Sequence, residues 1–241
     1  MAKASLAYDR VVLKISGEAL GGKAGFGLET QTLDYIAQEV KQVRECGADV
    51  AIVVGGGNFI RGSAFSERGI DRTVADHMGM MGTIMNALAL QSALEGAGVD
   101  SRVQSAIAVP EVAESFIRRR AIRHMEKGRA VIFAGGTGNP YFTTDTASVL
   151  RALEIDAKAV LKATKVEGVY DKDPKKHADA VKYDRLTFGE AIDKRLKVMD
   201  ETAFTMCREH NLPLIVLDLM KPGGMALAVQ GKTDGTLVEG E

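Results

Sequence analysis

The chain of 241 residues is 46% hydrophobic and 26% charged, enough for one large α/β domain or two small ones, and it reads as a single domain over 1–241. Its formal net charge of -1 supplies no general field toward nucleic acid or anionic lipid, and 5% aromatics with no Trp offer little surface for stacking bases. Cys46 and Cys207 form no CxxC pair, no apolar run approaches the roughly 18 residues of a membrane span, and the first ten residues lack the apolar centre of a signal peptide. A zinc site, a disulfide framework, a membrane and nucleic acid are therefore not expected, and the expected compartment is the cytoplasm.

In chain order, the first nearly all-apolar run is Val11–Ile15, a strand of the kind covered on both faces. Thr30–Cys46 follows with Leu33, Ile36, Ala37, Val40 and Val43 on one helical stripe and Gly47 as its stop. Val50–Val54 reads as a strand, about Arg72–Glu95 as a helix, Arg102–Ile107 as a strand and Glu114–Lys127 as a helix. Arg129–Ala134 and Ala157–Lys162 are further strands around a helix at Thr144–Leu153. The polar stretch Tyr170–Tyr183 reads as a loop that divides a longer N-terminal part, about 1–155, from a shorter C-terminal part, about 156–241. Helices at Phe188–Asp193, Thr202–His210 and Met225–Gln230 surround a last strand at Leu214–Asp218. Alternating strands and helices predict an α/β fold, a three-layer α/β/α sandwich on a mainly parallel sheet.

Ser16-Gly17, Gly55-Gly56-Gly57-Asn58 and Gly135-Gly136-Thr137-Gly138-Asn139-Pro140 each follow one of these strands directly. A strand that ends in glycine brings bare N–H groups up to a ligand, and the carboxyl ends of parallel strands share one edge, so three such loops point to phosphate and to two nucleotides held head to head. The common phosphate motifs do not explain them. Gly17 to Lys23 has Walker A spacing, but the next residue is Ala24, which has no hydroxyl for Mg²⁺, and the first βα turn lacks a G-x-G-x-x-G fingerprint. Lys14 lies inside an apolar run beside Ser16-Gly17, and Lys162 and Lys165 lie at the end of another; these either snorkel to solvent or meet an anion.

Lys14-Ile15-Ser16-Gly17-Glu18-Ala19-Leu20, Gly55-Gly56-Gly57-Asn58 with Arg61-Gly62, Asp76-His77-Met78-Gly79-Met80, the run from Gly136 to Asp145, and Lys162-Ala163-Thr164-Lys165-Val166-Glu167-Gly168-Val169-Tyr170 together resemble the bacterial uridylate kinases of the amino acid kinase superfamily. The likeness runs from about Arg10 to Thr236. It implies direct transfer of the γ-phosphoryl of ATP to UMP, with Mg²⁺ on the ATP phosphates and no direct protein ligand for the metal. It implies a clamp of Lys14 and Lys165 organised by Asp145, which on its own reads equally as a helix-start acid. ATP would meet Lys14, Ile15, Ser16, Gly17, Gly57, Arg61, Thr164, Tyr170 and Asp173. UMP would meet Gly56, Arg61, Asp76, Thr137, Gly138, Asn139, Pro140, Tyr141, Phe142, Thr143 and Thr144. Taken alone, Gly138-Asn139-Pro140 and Asp173-Pro174 are plain turns and Tyr170 a loop anchor.

The resemblance also implies a homohexamer, activation by GTP and inhibition by UTP, with Gly22, Lys23, Ala24, Gly25, Phe26 and Gly27 in the effector response. Met78, Met80, Met81 and Met85 with Ile84, Leu88 and Leu90 then serve either the core or a subunit interface. Arg118-Arg119-Arg120 with Arg123, His124 and Lys127 is a solvated face, or by resemblance lies near the GTP site. Two other functions use the same residues differently: a sister kinase acting on a carboxylate or carbamate, and a nucleotide-sensing regulator without turnover.

Overall fold

The apolar runs become adjacent parallel strands. The computed structural model describes residues 5–60 and 69–241, so the expected phosphate ligand Arg61 lies outside the described residues. The strands are β1 (Arg10–Ile15), β2 (Asp49–Val54), β3 (Ser101–Ser105), β4 (Glu114–Ser115), β5 (Ala130–Ala134), β6 (Ala159–Thr164), β7 (Val169–Tyr170), β8 (Lys182–Tyr183), β9 (Arg185–Leu186), β10 (Leu214–Asp218) and β11 (Thr236–Val238). Nine of them form one sheet in the order β4-β3-β5-β2-β1-β6-β10-β11-β9, running through both parts of the chain, while β7 and β8 pair separately. Only the β10–β11 pair of the large sheet is antiparallel.

Strand alternation divides the core into two layers. Val11, Leu13 and Ile15 of β1 face one layer with Ile52, Ile132 and Leu161, and it is closed by α2 (Thr30–Glu45), α3 (Arg72–Gly96) and α8 (Gly224–Val229). Val12, Val53, Phe133 and Val160 face the other, closed by α4 (Arg118–Glu126), α5 (Thr144–Glu154), α6 (Phe188–Asp193) and α7 (Glu201–Glu209). The sheet is thus buried on both faces, as its continuous apolar runs require, and the three-layer α/β/α expectation holds.

Four boundaries differ from expectation by two residues or more, one of them the end of β6 at Thr164, and the short strands β7, β8, β9 and β11 have no apolar run that predicts them. Glu114–Ser115 is a strand beside β3, and the helix begins only at Arg118. Glu114 is held by Gln104 Nε2 and His124 Nε2, both at 3.1 Å, and Phe116 packs edge-on against Phe133 at 5.5 Å, so 114–116 alternate as a strand does. Strand β3 stops at Ser105 because its hydroxyl turns back onto the Ile107 carbonyl at 2.7 Å. Strand β6 starts two residues late: Asp156 takes φ 58, and the Ala157 N–H closes the end of α5 on Ala152 O at 2.8 Å. The Tyr170–Tyr183 loop is pinned at its ends by the β7–β8 ladder, which Thr236 Oγ1 ties to β11 by accepting from Val169 N at 2.8 Å.

The carboxyl ends of β5, β2, β1 and β6 stand side by side and bring the three glycine loops to one edge. The β1 and β2 loops interlock: a Cβ on Gly17 would lie 2.6 Å from both Asn58 Oδ1 and Gly57 N, and one on Gly56 would lie 2.4 Å from Gly79 O on α3. Beneath them two fully buried amides, Asn58 and Asn86, bond to each other at 2.7 and 2.9 Å. Asn86 Nδ2 also donates to Gly55 O and Asn58 Nδ2 to Gly27 O, both at 2.6 Å. Asn86→Ala strands a buried carbonyl and half of a buried amide. Urea unfolding is expected to show a loss of about 2–4 kcal/mol, and an unchanged midpoint would refute this account of the loop.

Candidate active site

Lys14 of β1 and Lys162 of β6 are direct register partners, so both side chains leave the sheet on the same face. Two like charges in that position repel unless a counterion lies between them. Asp145, in the first turn of α5, supplies it: Lys14 Nζ is 2.7 Å from Oδ1 and Lys162 Nζ is 2.8 Å from Oδ2, with the three side chains between 10% and 14% exposed. Thr143 does the capping, its hydroxyl accepting from Asp145 N at 3.0 Å and Thr146 N at 3.3 Å, and the Asp145 carboxylate is left to face the lysines.

Burial by itself pushes the Asp145 carboxyl up, but the charges of Lys14 and Lys162 and their hydrogen bonds outweigh it and hold the group below its ordinary value. Burial pushes the Lys162 ammonium down; Asp145 opposes this and the neighbouring Lys14 charge adds to it. Lys162 also donates to the Val198 carbonyl at 2.6 Å. Two residues further on, Asp200 accepts from the Thr143 and Thr146 hydroxyls, the latter at 2.9 Å, and caps α7 through Ala203 N at 2.8 Å. The segment 198–200 therefore fixes both Lys162 and the start of α5. Cys207, close enough to feel Asp145 and Asp200, has its thiol pushed up to about 12, first by burial and then by those charges, so it is no nucleophile.

Two cavities reach this cluster, one through Lys162 and one through Thr143 and Thr144 beside Asp145. One of about 350 Å³ is lined by Gly56, Asp76, Thr137, Asn139, Phe142, Thr143 and Thr144, all expected at the acceptor, by Gly57, expected at ATP, and by Arg72. Gly138, at φ 84, turns this loop against Ala106, carrying Pro140 and Tyr141 with it. The other, of about 630 Å³, is lined by Lys162 and the expected donor residues Thr164, Tyr170 and Asp173, with Lys194, Arg195 and Lys197 at its rim. Tyr170 and Asp173 also anchor their own loop, through Glu167 at 3.2 Å and the Lys175 N–H at 3.0 Å. Ile15 is wholly buried, and Ser16 opens the short helix α1 (Gly17–Leu20) without spending its hydroxyl on a cap.

Lys165 does not join Lys14 and Asp145. It is exposed and borders a third cavity, of about 590 Å³, with Gly22, Lys23 and Asp218. Ala24 and Phe26 are exposed, Gly25 and Gly27 take φ 66 and 71, and Gly27 N bonds to Asn58 O at 3.1 Å beneath the glycine loop. Sequence reasoning ranked Lys165 above Lys162, although strand alternation gives Lys162, like Lys14, the face opposite the Leu161 and Leu13 side chains. It missed Arg72, although Arg72 and Asp76 stand at helical i,i+4 spacing. Asp200 and Asn86 carried no sequence signal, since their partners lie 54 and 28 residues away.

The amino acid kinase family model matches residues 9–218. The chain is 56% identical over 231 residues to a uridylate kinase of Paramagnetospirillum magneticum, covering 96% of each. It is 53% identical over 235 residues to a uridylate kinase of Xanthomonas campestris, covering 98% of each. The crystal structure of UMP kinase from Bacillus anthracis is similar to it with a TM-score of 0.93 at 40% identity, over 96% of both chains.

Asp145→Asn leaves two mostly buried ammonium groups without their anion and is expected to cost about 3 kcal/mol near pH 7. Because the folded-state carboxyl is held low, its contribution is complete above the unfolded value of 3.8 and is lost as pH falls through the folded value. The stability gap between wild type and Asp145→Asn should therefore narrow in acid, and a gap independent of pH would contradict the pairing.

Proposed function

The chain belongs to the amino acid kinase family and, within it, to the uridylate kinases, and on that premise we propose how its residues divide the work. The protein is an ATP-dependent nucleoside monophosphate kinase that transfers the γ-phosphoryl of ATP to UMP, giving UDP and ADP. A UMP phosphate oxygen attacks the γ-phosphorus in line, the bond to the β,γ-bridging oxygen breaks, and ADP leaves. The nucleophile is already an anion, so no strong general base is needed, and catalysis reduces to alignment and charge stabilisation.

We assign the stabilising cations to Lys14 and Lys162, with Asp145 holding both in place. The observation that carries this is the ion-paired trio itself, whose Lys162 lines the donor cavity and whose Asp145 directly follows Thr143 and Thr144 of the acceptor cavity. The N–H groups of Ser16-Gly17, Gly56 and Gly57 supplement the lysines, whereas the Gly55 N–H, expected among them, already donates to Ile15 O at 2.9 Å. In the N-terminal part, about 1–155, Gly56, Arg61, Asp76 and the Thr137–Thr144 loop receive UMP; in the C-terminal part, about 156–241, Thr164, Tyr170 and Asp173 receive ATP. Selection of uracil over cytosine follows if a donor of this loop faces O4, because the cytosine amino group would then meet it donor to donor.

A divalent cation, taken to be Mg²⁺, arrives as part of the ATP substrate. Among the described residues no group of three or more His, Cys, Asp or Glu forms a cage, and lysines face both Asp145 oxygens. The donor set fits a cation held by phosphates and water. GTP activation and UTP inhibition are assigned to Gly22–Gly27 and the basic α4, on the support of the Gly27–Asn58 link to the glycine loop. Val74, Met81 and Met85 project from α3 at 51%, 48% and 51% exposure, which suits an apolar interface of a homohexamer. No helix among the described residues is long and apolar enough to cross a membrane, which accords with a cytoplasmic enzyme.

Release of ADP with Mg-ATP should be rapid with UMP and slow with CMP, acetylglutamate and aspartate. Phosphorylation of the carboxylates would favour the sister kinase, and no turnover despite tight UTP binding would favour the sensor. Lys14→Ala and Lys162→Ala should each lower kcat on the order of 100-fold or more, whereas Lys165→Ala should leave kcat nearly unchanged; the reverse pattern would return the clamp to Lys165. A charge placed on the α3 stripe, as in Met81→Glu with Met85→Glu, should reduce the mass seen by sedimentation velocity, and an intact hexamer would remove the stripe from the interface.

A further inference from the structure

We propose that Arg72 is a positioning residue of the acceptor cavity, setting Asp76 for the sugar hydroxyls and so fixing a preference for ribose over deoxyribose. The inference rests on the reading of that cavity as the UMP site. Asp76 is the one carboxylate among the described residues that line it. A carboxylate repels a phosphate, so its ligand there must bring O–H or N–H donors, and the hydroxyls of a ribose do so.

The carboxylate does not stand free. Arg72 Nε lies 2.9 Å from both of its oxygens, and Tyr141 N donates to Oδ2 at 2.8 Å. The Arg72 guanidinium also sits 5.5 Å over the Tyr141 ring. Asp71 caps α3 by accepting from Thr73 N at 2.9 Å and Val74 N at 3.2 Å, which makes Arg72 and Asp76 a fixed i,i+4 pair in the first turns. Tyr141 takes φ 71, a conformation a side-chain-bearing residue adopts at a cost, and it is 68% exposed, so packing does not hold it there. Its N–H bond to Asp76 and the cation over its ring do.

A carboxylate offers about four lone-pair sites. Arg72 and Tyr141 occupy those turned toward the protein, and capacity is left chiefly on Oδ1 for an incoming hydroxyl. Removing the guanidinium frees the carboxylate to rotate and releases the ring from its cation, loosening both the sugar contact and the Thr137–Thr144 loop. Sugar recognition and the order of that loop thus share one side chain.

The test compares UMP and dUMP as acceptors for the full-length protein with Mg-ATP, in wild type, Arg72→Ala, Arg72→Lys, Asp76→Asn and the Arg72→Ala/Asp76→Asn double variant. Loss of a charged hydrogen bond to the sugar ligand predicts about a tenfold rise in KM for UMP and a fall in kcat of less than threefold. The ratio of kcat/KM for UMP over dUMP should fall about tenfold in Arg72→Ala. Arg72→Lys, which keeps the charge but not the planar fork, should fall between, and it keeps the test open should the alanine variant fail to fold. In the Asp76→Asn background Arg72→Ala should cost no further discrimination. An unchanged UMP/dUMP ratio in the Arg72 variants, or independent effects in the double variant, overturns this inference alone. A wild-type protein that turns over no UMP overturns the acceptor reading together with it.

Discussion

The structure depends on a single carboxylate. Parallel pairing of β1 with β6 sets Lys14 directly opposite Lys162, and neither ammonium has room to retreat to bulk water. Without an anion between them the central pair of strands would carry two desolvated like charges at its functional end, an arrangement that costs several kcal/mol. Asp145 removes that cost only if α5 begins where it does, at the right height above the sheet. Thr143 fixes the start by capping, and Asp200 fixes Thr143 and Thr146 from another helix. A local electrostatic demand is thereby transmitted to the packing of α5 and α7 on one face of the sheet.

The second constraint is steric, and it acts on the same edge. Gly17, Gly55, Gly56 and Gly57 approach each other and Gly79 so closely that no Cβ fits at Gly17, Gly55 or Gly56. This crowding keeps side chains off the loop backbone, and the Asn58–Asn86 amide pair holds the loops in that approach from below. Rigid backbone donors need no reorganisation as charge moves between two phosphates, which is the advantage of building such a site from glycine rather than from flexible side chains.

Much of this was legible in the chain. Continuous apolar runs identified β1, β2, β3, β5, β6 and β10, since a sheet covered on both faces leaves no polar face to alternate with, and glycine clusters after three of them marked the edge; the two- and three-residue strands β4, β7, β8, β9 and β11 are too short to carry such a run. What failed did so for identifiable reasons. Lys162 and Lys165 are close in sequence, but strand alternation and the end of β6 separate them into different cavities, and composition alone could not say which faced Asp145. Glu114 to Phe116 has the content of a helix start, and only the presence of Gln104 and Phe133 alongside makes it a strand. Asp200 and Asn86 act across long sequence separations, where no local pattern reports them. Arg72 and Asp76 were within reach of an i,i+4 reading, but Tyr141, which completes their cluster, lies 65 residues from Asp76.

The charge balance of the site explains why its cations are spread as they are. Lys14, Asp145 and Lys162 together carry one net positive charge, far less than two nucleotides bring in phosphate. A larger charge at the centre would be harder to desolvate in the empty protein, as the lowered Lys162 ammonium already indicates. Lys175, Lys194, Arg195 and Lys197 stand instead around the donor cavity, outnumbering its Asp171 and Asp173, while Lys172 is paired with Asp179 at 2.6 Å. A chain whose formal net charge is only -1 can therefore present a cationic donor mouth to a polyphosphate. On the proposed reading the acceptor cavity needs less of this, because UMP carries a single phosphate, and there the Arg72 charge is directed onto Asp76 and the ring of Tyr141 rather than left free.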